Sequence, residues 1–230
     1  MDRAASHLLR GRRGSATDGN PLPKPVRVPG LWLGTAERIS AVVEMNHPDV
    51  WIMGDLADDD RHNGMGIVVK YAQPQGAVDS SETVQVELLA PGFGDRPLDA
   101  ARPDEIFDML FEKENAASDG FNQWTINGVA YPDSQMMAAP SFHLHQGKHY
   151  RLRMRNASDD IHPIHLHRHT FELTRIAGQS TTGVMKDVMM LGGYQEAEVD
   201  FVAGKPGMTL FHCPQQLHMD FGFMGLMDYA

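Results

Sequence analysis

One cysteine in 230 residues rules out an internal disulfide, so no bridged scaffold and no redox compartment can be read from this chain. Basic charge is not in excess either. Lys and Arg number 20 against 30 Asp and Glu, a formal net charge of -10, which argues against nucleic acid as a partner. No apolar run approaches the length of a membrane helix, so no membrane partner is expected. The N-terminus is basic through Arg3, Arg10, Arg12 and Arg13, yet it lacks the apolar stretch of a secretory signal.

Residues 1–26, rich in Arg, Gly, Ser and Pro without apolar periodicity, are expected to form a disordered leader. From Leu31 to Ala72 short β-rich runs alternate with turn residues: Leu31-Trp32-Leu33, Ile39–Val43, Val50–Met53 and Met65–Val69. That pattern signals antiparallel β structure. Residues 34–72 can also be laid on 192–230 without gaps: Gly34 meets Gly192, Pro48 meets Pro206, Gly64 meets Gly222, and Tyr71-Ala72 meets Tyr229-Ala230. The identities fall at turns and at a closing strand, so the text reads as the end of one β domain followed by a complete second copy. Gly54, Asp55 and Asp60 of the first copy face His212, Cys213 and His218 of the second.

The division expected is therefore a leader at 1–26, a partial domain at 27–73, a linker at 74–120 with a strand at Val84–Leu89, and a full domain at 121–230. The last opens with Asn122-Gln123-Trp124-Thr125-Ile126-Asn127-Gly128, a strand entering an Asn-Gly turn. Tyr150–Asn156 alternates Leu152 and Met154 against Arg151, Arg153 and Arg155, as a half-buried strand does. Seven or eight strands in two facing sheets, with little helix, are expected from 122 on: an all-β sandwich.

The histidines carry the chemistry. His162-Pro163-Ile164-His165-Leu166-His167-Arg168-His169 is followed by Phe211-His212-Cys213-Pro214-Gln215-Gln216-Leu217-His218. On a strand, residues i and i+2 share a face, so His165, His167 and His169 should point one way. Cys213 should point away from His212, toward the core. His218 can return to the thiolate across a short loop, and Pro163 should hold His162 out of the His165 register. Two imidazoles and a thiolate make the trigonal set of a blue copper site, with a weak axial place for which Phe223 and Met224 are candidates. A structural zinc site wants four firm ligands and Cys-x-x-Cys spacing, both lacking here. The competing reading is a structural buried cysteine near unrelated histidines. For Met185, Met189, Met190, Met208, Met219, Met224 and Met227, gap-filling core competes with soft copper handling. His143-Leu144-His145 reads as a surface strand pair.

The segments His-Pro-x-His-Leu-His and His-Cys-x-x-x-x-His, preceded by Trp-Thr-Ile-Asn-Gly, resemble the C-terminal cupredoxin domain of the multicopper oxidases, the laccase-like enzymes. The resemblance covers roughly residues 30–230. It implies a Greek-key cupredoxin sandwich, with 27–73 the tail of a copper-free cupredoxin domain and 121–230 the copper-binding one. It implies type 1 copper on His162, Cys213 and His218, with Met224 or Phe223 axial. His165 corresponds to a type 2 ligand, and His167 and His212 to type 3 ligands; Cys213 and His212 would carry electrons between the sites. The activity implied is oxidation of phenolic or metal-ion substrates with reduction of oxygen to water, in a periplasmic or extracellular setting. Two departures stand out. Pro214 occupies the place of a type 3 histidine, and the family's two further His-x-His pairs are absent. A missing N-terminal half or a homo-oligomer is therefore an expected partner. The other readings are a single type 1 copper electron-transfer or copper-binding protein, and an inactive truncated fragment.

Overall fold

The computed structural model describes residues 5–43, 50–55, 57–70, 102–118, 120–131 and 142–229. The chain divides into two units, one made of Met1–Gly34 with Arg38–Gly92, the other of Thr35–Glu37 with Phe93–Ala230.

In the first unit, β1 (Ala5–Thr17), β2 (Asn20–Leu33) and β3 (Ile39–Val43) form an antiparallel sheet of order β2-β1-β3. The disordered leader expected at 1–26 is corrected here. Asp18 and Gly19 both take positive φ, 51° and 81°, and Thr17 pairs with Asn20 across them. An Asp-Gly pair in that conformation matches the twist of a two-residue hairpin, and this signal outweighs the lack of apolar periodicity. Beyond it, β4 (Val50–Gly54), the short helix α1 (Asp58–His62) and β5 (Gly66–Lys70) complete the described part of the unit. The strand expected at Val84–Leu89 lies outside the described residues.

The second unit is a sandwich. Its strands are β6 (Glu105–Ser118), β7 (Phe121–Ile126), β8 (Phe142–Leu144), β9 (His149–Asn156), β10 (His162–Leu166), β11 (Phe171–Ile176), β12 (Gln179–Lys186), β13 (Val188–Leu191), β14 (Glu196–Val202), β15 (Thr209–His212) and, after the helix α2 (Gln216–Asp220), β16 (Met224–Tyr229). One sheet has the order β12-β11-β14-β9-β6-β7, the other β13-β10-β15-β16-β8. Alternation along the strands turns Tyr150, Leu152 and Met154 of β9 inward, with Phe211 of β15 and Ile164 of β10, into one apolar core. Arg151 and Arg153 point outward, onto Asp200 and Asp108. The half-buried strand expected at Tyr150–Asn156 is thus observed, as is the Asn127-Gly128 turn, where both residues have positive φ.

The linker expected at 74–120 is corrected at its C-terminal end. Strand β6 lies inside the six-stranded sheet, parallel to β9 and antiparallel to β7, and buries Met109 and Phe111 in the core. Apolar residues at Phe107, Met109 and Phe111 alternate with Asp108 and Leu110, which is a strand's period. Among the described residues ten strands run from Phe121 onward rather than seven or eight, because β8 and β13 are only three and four residues long. No helix among the described residues is long and apolar enough to cross a membrane.

The internal repeat has a structural counterpart. β4, α1 and β5 in the first unit, and β15, α2 and β16 in the second, are the same strand, helix and strand. Gly54 pairs with Gly66 as His212 pairs with Met224. The amide of Asp55 donates to Met65 O as that of Cys213 donates to Phe223 O. In the first copy the cysteine's place is taken by buried Asp55, whose Oδ1 accepts the amide of Ala57 at 2.7 Å.

Candidate metal centre

Strand parity creates two donor sets. β10 runs in unbroken register with β13, His162 opposite Leu191 and His165 opposite Val188. Residues three apart on such a strand face opposite ways. Pro163 is therefore not needed to separate His162 from His165; it sits in the ladder opposite Met190. On β15, His212 pairs with His165 across the sheet while Cys213, fully buried, turns into the core.

The inner set is His162, Cys213 and His218, whose ligand atoms lie within 4.8 Å of one another. His162 Nδ1 stands 3.0 Å from His218 Nδ1, and Cys213 Sγ stands 3.5 Å from that same nitrogen. His162 is aimed by a chain of hydrogen bonds. Asn156 holds its place through Nδ2, which donates to Asp160 O and Gly192 O at 2.8 and 3.0 Å. Its Oδ1 accepts the Ser158 hydroxyl at 2.8 Å. With its only proton so committed, Ser158 Oγ must accept from His162 Nε2, 3.2 Å away. The Nδ1 lone pair of His162 is thereby left facing Cys213 and His218, the orientation a metal ligand requires. Burial, and then the charge of His218, push the His162 pKa down to about 3, so the ring is neutral at pH 7.

His218 is brought in by α2 and sandwiched by Trp124, whose indole stacks on it with centroids 4.2 Å apart. Trp124 Nε1 donates to Asp160 Oδ2 at 2.9 Å, and Lys113 Nζ stands 3.1 Å from the same oxygen. Burial works against ionising Asp160, but these two donors outweigh it and hold its carboxyl below the usual carboxylate range.

Register separates the two residues weighed for the axial place. Met224 pairs directly with His212, so the two side chains share a face, and Met224 looks away from Cys213. The expectation of Met224 as an axial ligand is corrected accordingly. Phe223 instead stacks on the His162 ring at 4.5 Å and is fully buried.

The outer set is His165, His167 and His212, again with ligand atoms within 4.8 Å. His165 Nδ1 lies 2.7 Å from Asp187 O; a carbonyl only accepts, so Nδ1 carries the proton and Nε2 is free for a metal. His167 Nε2 and His212 Nε2 are 2.9 Å apart. Burial first, aided by neighbouring imidazoles, lowers the His212 pKa to about 4, and it lowers that of His167 too. His169 shares their spacing but, as a hydrogen-bonding residue beside the site rather than a ligand, stands apart from them. Arg168 has φ 64°, which ends the alternation, and His169 hydrogen-bonds His167 O and the Tyr229 hydroxyl. His143 lies on an edge strand and pairs with Asp228, as expected of a surface pair.

All six imidazole and thiolate donors singled out from the sequence are thus brought together, in two groups. Asn156, Ser158 and Asp160 were not foreseen. Polar residues at a strand end have no spacing signal that would distinguish them from an ordinary turn. Trp124 was visible in its motif, but its stacking partner was not.

Residues 106–230 match the family model described as "Multicopper oxidase". The chain is 26% identical over 235 residues to the "Multicopper oxidase MmcO" of Mycobacterium tuberculosis, which covers 93% of this chain and 41% of that protein. It is 34% identical over 114 residues to the bilirubin oxidase of Albifimbria verrucaria, covering 46% of this chain and 20% of the relative. The crystal structure of a multicopper oxidase from Pseudomonas thermotolerans superposes on 99% of this chain and 52% of its own, with a TM-score of 0.68 at 24% identity. The chain thus spans about half, or less, of the length of these relatives.

Proposed function

The chain belongs to the multicopper oxidase family, a family that implies copper, and from this premise we propose that it is a copper oxidoreductase module, equivalent to the C-terminal part of an oxidase. In this reading it passes electrons from a phenolic or metal-ion substrate toward oxygen. The observation that carries the reading is that one two-residue step, His212-Cys213, serves both donor sets.

The inner set fits copper: two imidazole Nδ1 atoms and a buried thiol converge, and the neighbouring Phe223 ring carries no donor atom. When bound there as type 1, copper supplies a one-electron acceptor whose potential rises as the axial ligand weakens. His162, Cys213 and His218 would hold it, and Ser158 keeps the Nδ1 of His162 turned toward the other two. His218 is 9% exposed, and Leu217 beside it is 57% exposed, so a reducing substrate has an apolar approach to that imidazole. The outer set does not fit a complete trinuclear cluster. It offers His165 for type 2 and His167 and His212 for type 3, but Pro214 supplies no donor. The further imidazoles would come from a separate N-terminal half or a second copy of the chain, and oxygen reduction belongs to that assembly.

Loading the purified chain with copper tests the reading. An intense thiolate-to-copper absorption is expected, lost completely in Cys213→Ser; a copper-loaded chain without that band would sink the proposal.

A further inference from the structure

Next to the inner set lies a charge pair that no role above employs. Lys113 on β6 contacts Asp160 at 3.1 Å, with side-chain exposures of 15% and 26%. Asp160 accepts the indole N–H of Trp124 at 2.9 Å, and that indole, 3% exposed, lies flat against the His218 ring with 29° between the planes. The backbone carbonyl of Asp160 also accepts from Asn156, the residue that orients Ser158 beneath His162. Lys113 also pairs with Asp159 at 3.2 Å, but that carboxylate is 70% exposed and screened by water; the half-buried Asp160 and Lys113 stand a single ring away from a metal-facing imidazole, where screening is partial.

We propose that Asp160 and Lys113, coupled to His218 through Trp124, set the balance between the oxidised and reduced forms of the metal held by His162, Cys213 and His218. This rests on the copper reading above. A carboxylate near the site favours the more highly charged oxidised ion, and an ammonium disfavours it. Trp124 fixes the distance: its N–H holds the carboxylate while its ring holds the imidazole. All three are positioning residues.

Opposite charges give the test a sign. The full chain is loaded with copper and its midpoint potential is read by spectroelectrochemical titration of the thiolate-to-copper band. Asp160→Asn raises the potential, Lys113→Met lowers it, and Lys113→Arg leaves it where it was. In a Trp124→Phe background, which keeps a ring on His218 but removes the indole donor, the Asp160→Asn shift shrinks, as a double-mutant cycle detects. A merely structural role would move both charge variants the same way, or abolish the band in both. Either result, or unchanged potentials, overturns the inference while leaving the copper reading intact. Absence of the band in the unmutated chain overturns both.

Discussion

Two imidazoles held neutral by burial make the metal-free chain sensitive to acid. An unfolded histidine titrates near 6.5, whereas His162 is pushed down to about 3 and His212 to about 4 in the fold. Between those values the unfolded chain binds more protons, so stability rises with pH there. It is fully present above about pH 7 and is lost as pH falls through 6.5 toward 3. Urea unfolding of chelator-treated chain is expected to lose on the order of 5 kcal/mol across that window through His162 alone. A flat profile would remove the argument from buried neutral rings. The residue types of both donor sets were legible without coordinates, because histidine and cysteine at those spacings have few other uses. The choice between Phe223 and Met224 was not legible, since neighbours in sequence differ here only in which face the β15–β16 register presents.

At the level of elements, the recurring strand, short helix and strand was visible as an ungapped repeat, and its turn glycines mark the same backbone conformation. Gly64 has φ +97° and Gly222 has φ +111°. Their surroundings differ. A Cβ on Gly64 would meet nothing within 4 Å, whereas one on Gly222 would lie 2.5 Å from Trp124 O and 2.7 Å from Ala130 Cβ. Gly64→Ala should therefore cost about 1 kcal/mol from conformation alone. Gly222→Ala should cost roughly 3 kcal/mol or more and loosen the Trp124 strand against α2. Equal denaturation midpoints for the two variants would show that the crowding is relieved at no cost. Elements were missed where the signal was short or local. The Asp18-Gly19 hairpin lies in a segment whose composition reads as disordered, and β6 lies in one that reads as linker.

For the molecule as a whole, the proposed function leaves the outer histidine set short of imidazoles, and Pro214 is the position where the proposal would add one. It stands two residues after His212, just beyond the end of β15. Pro214→His, mixed with a polypeptide that supplies two His-x-His pairs, is expected to raise oxygen uptake above that of the same mixture with the unmutated chain. Uptake unchanged by the substitution would show that Pro214 is not what limits the outer set.

The sequence by itself pointed to the histidines and the cysteine, to opposite faces for His212 and Cys213, to the all-β class and to the repeat, because alternation and turn chemistry are local properties of the chain. Only the tertiary structure decided which donors meet, that His169 bonds Tyr229, that Ser158 orients His162, and that Trp124 joins His218 to a half-buried charge pair. Those depend on cross-strand register and on side-chain packing between residues far apart in the chain, which no spacing along it encodes.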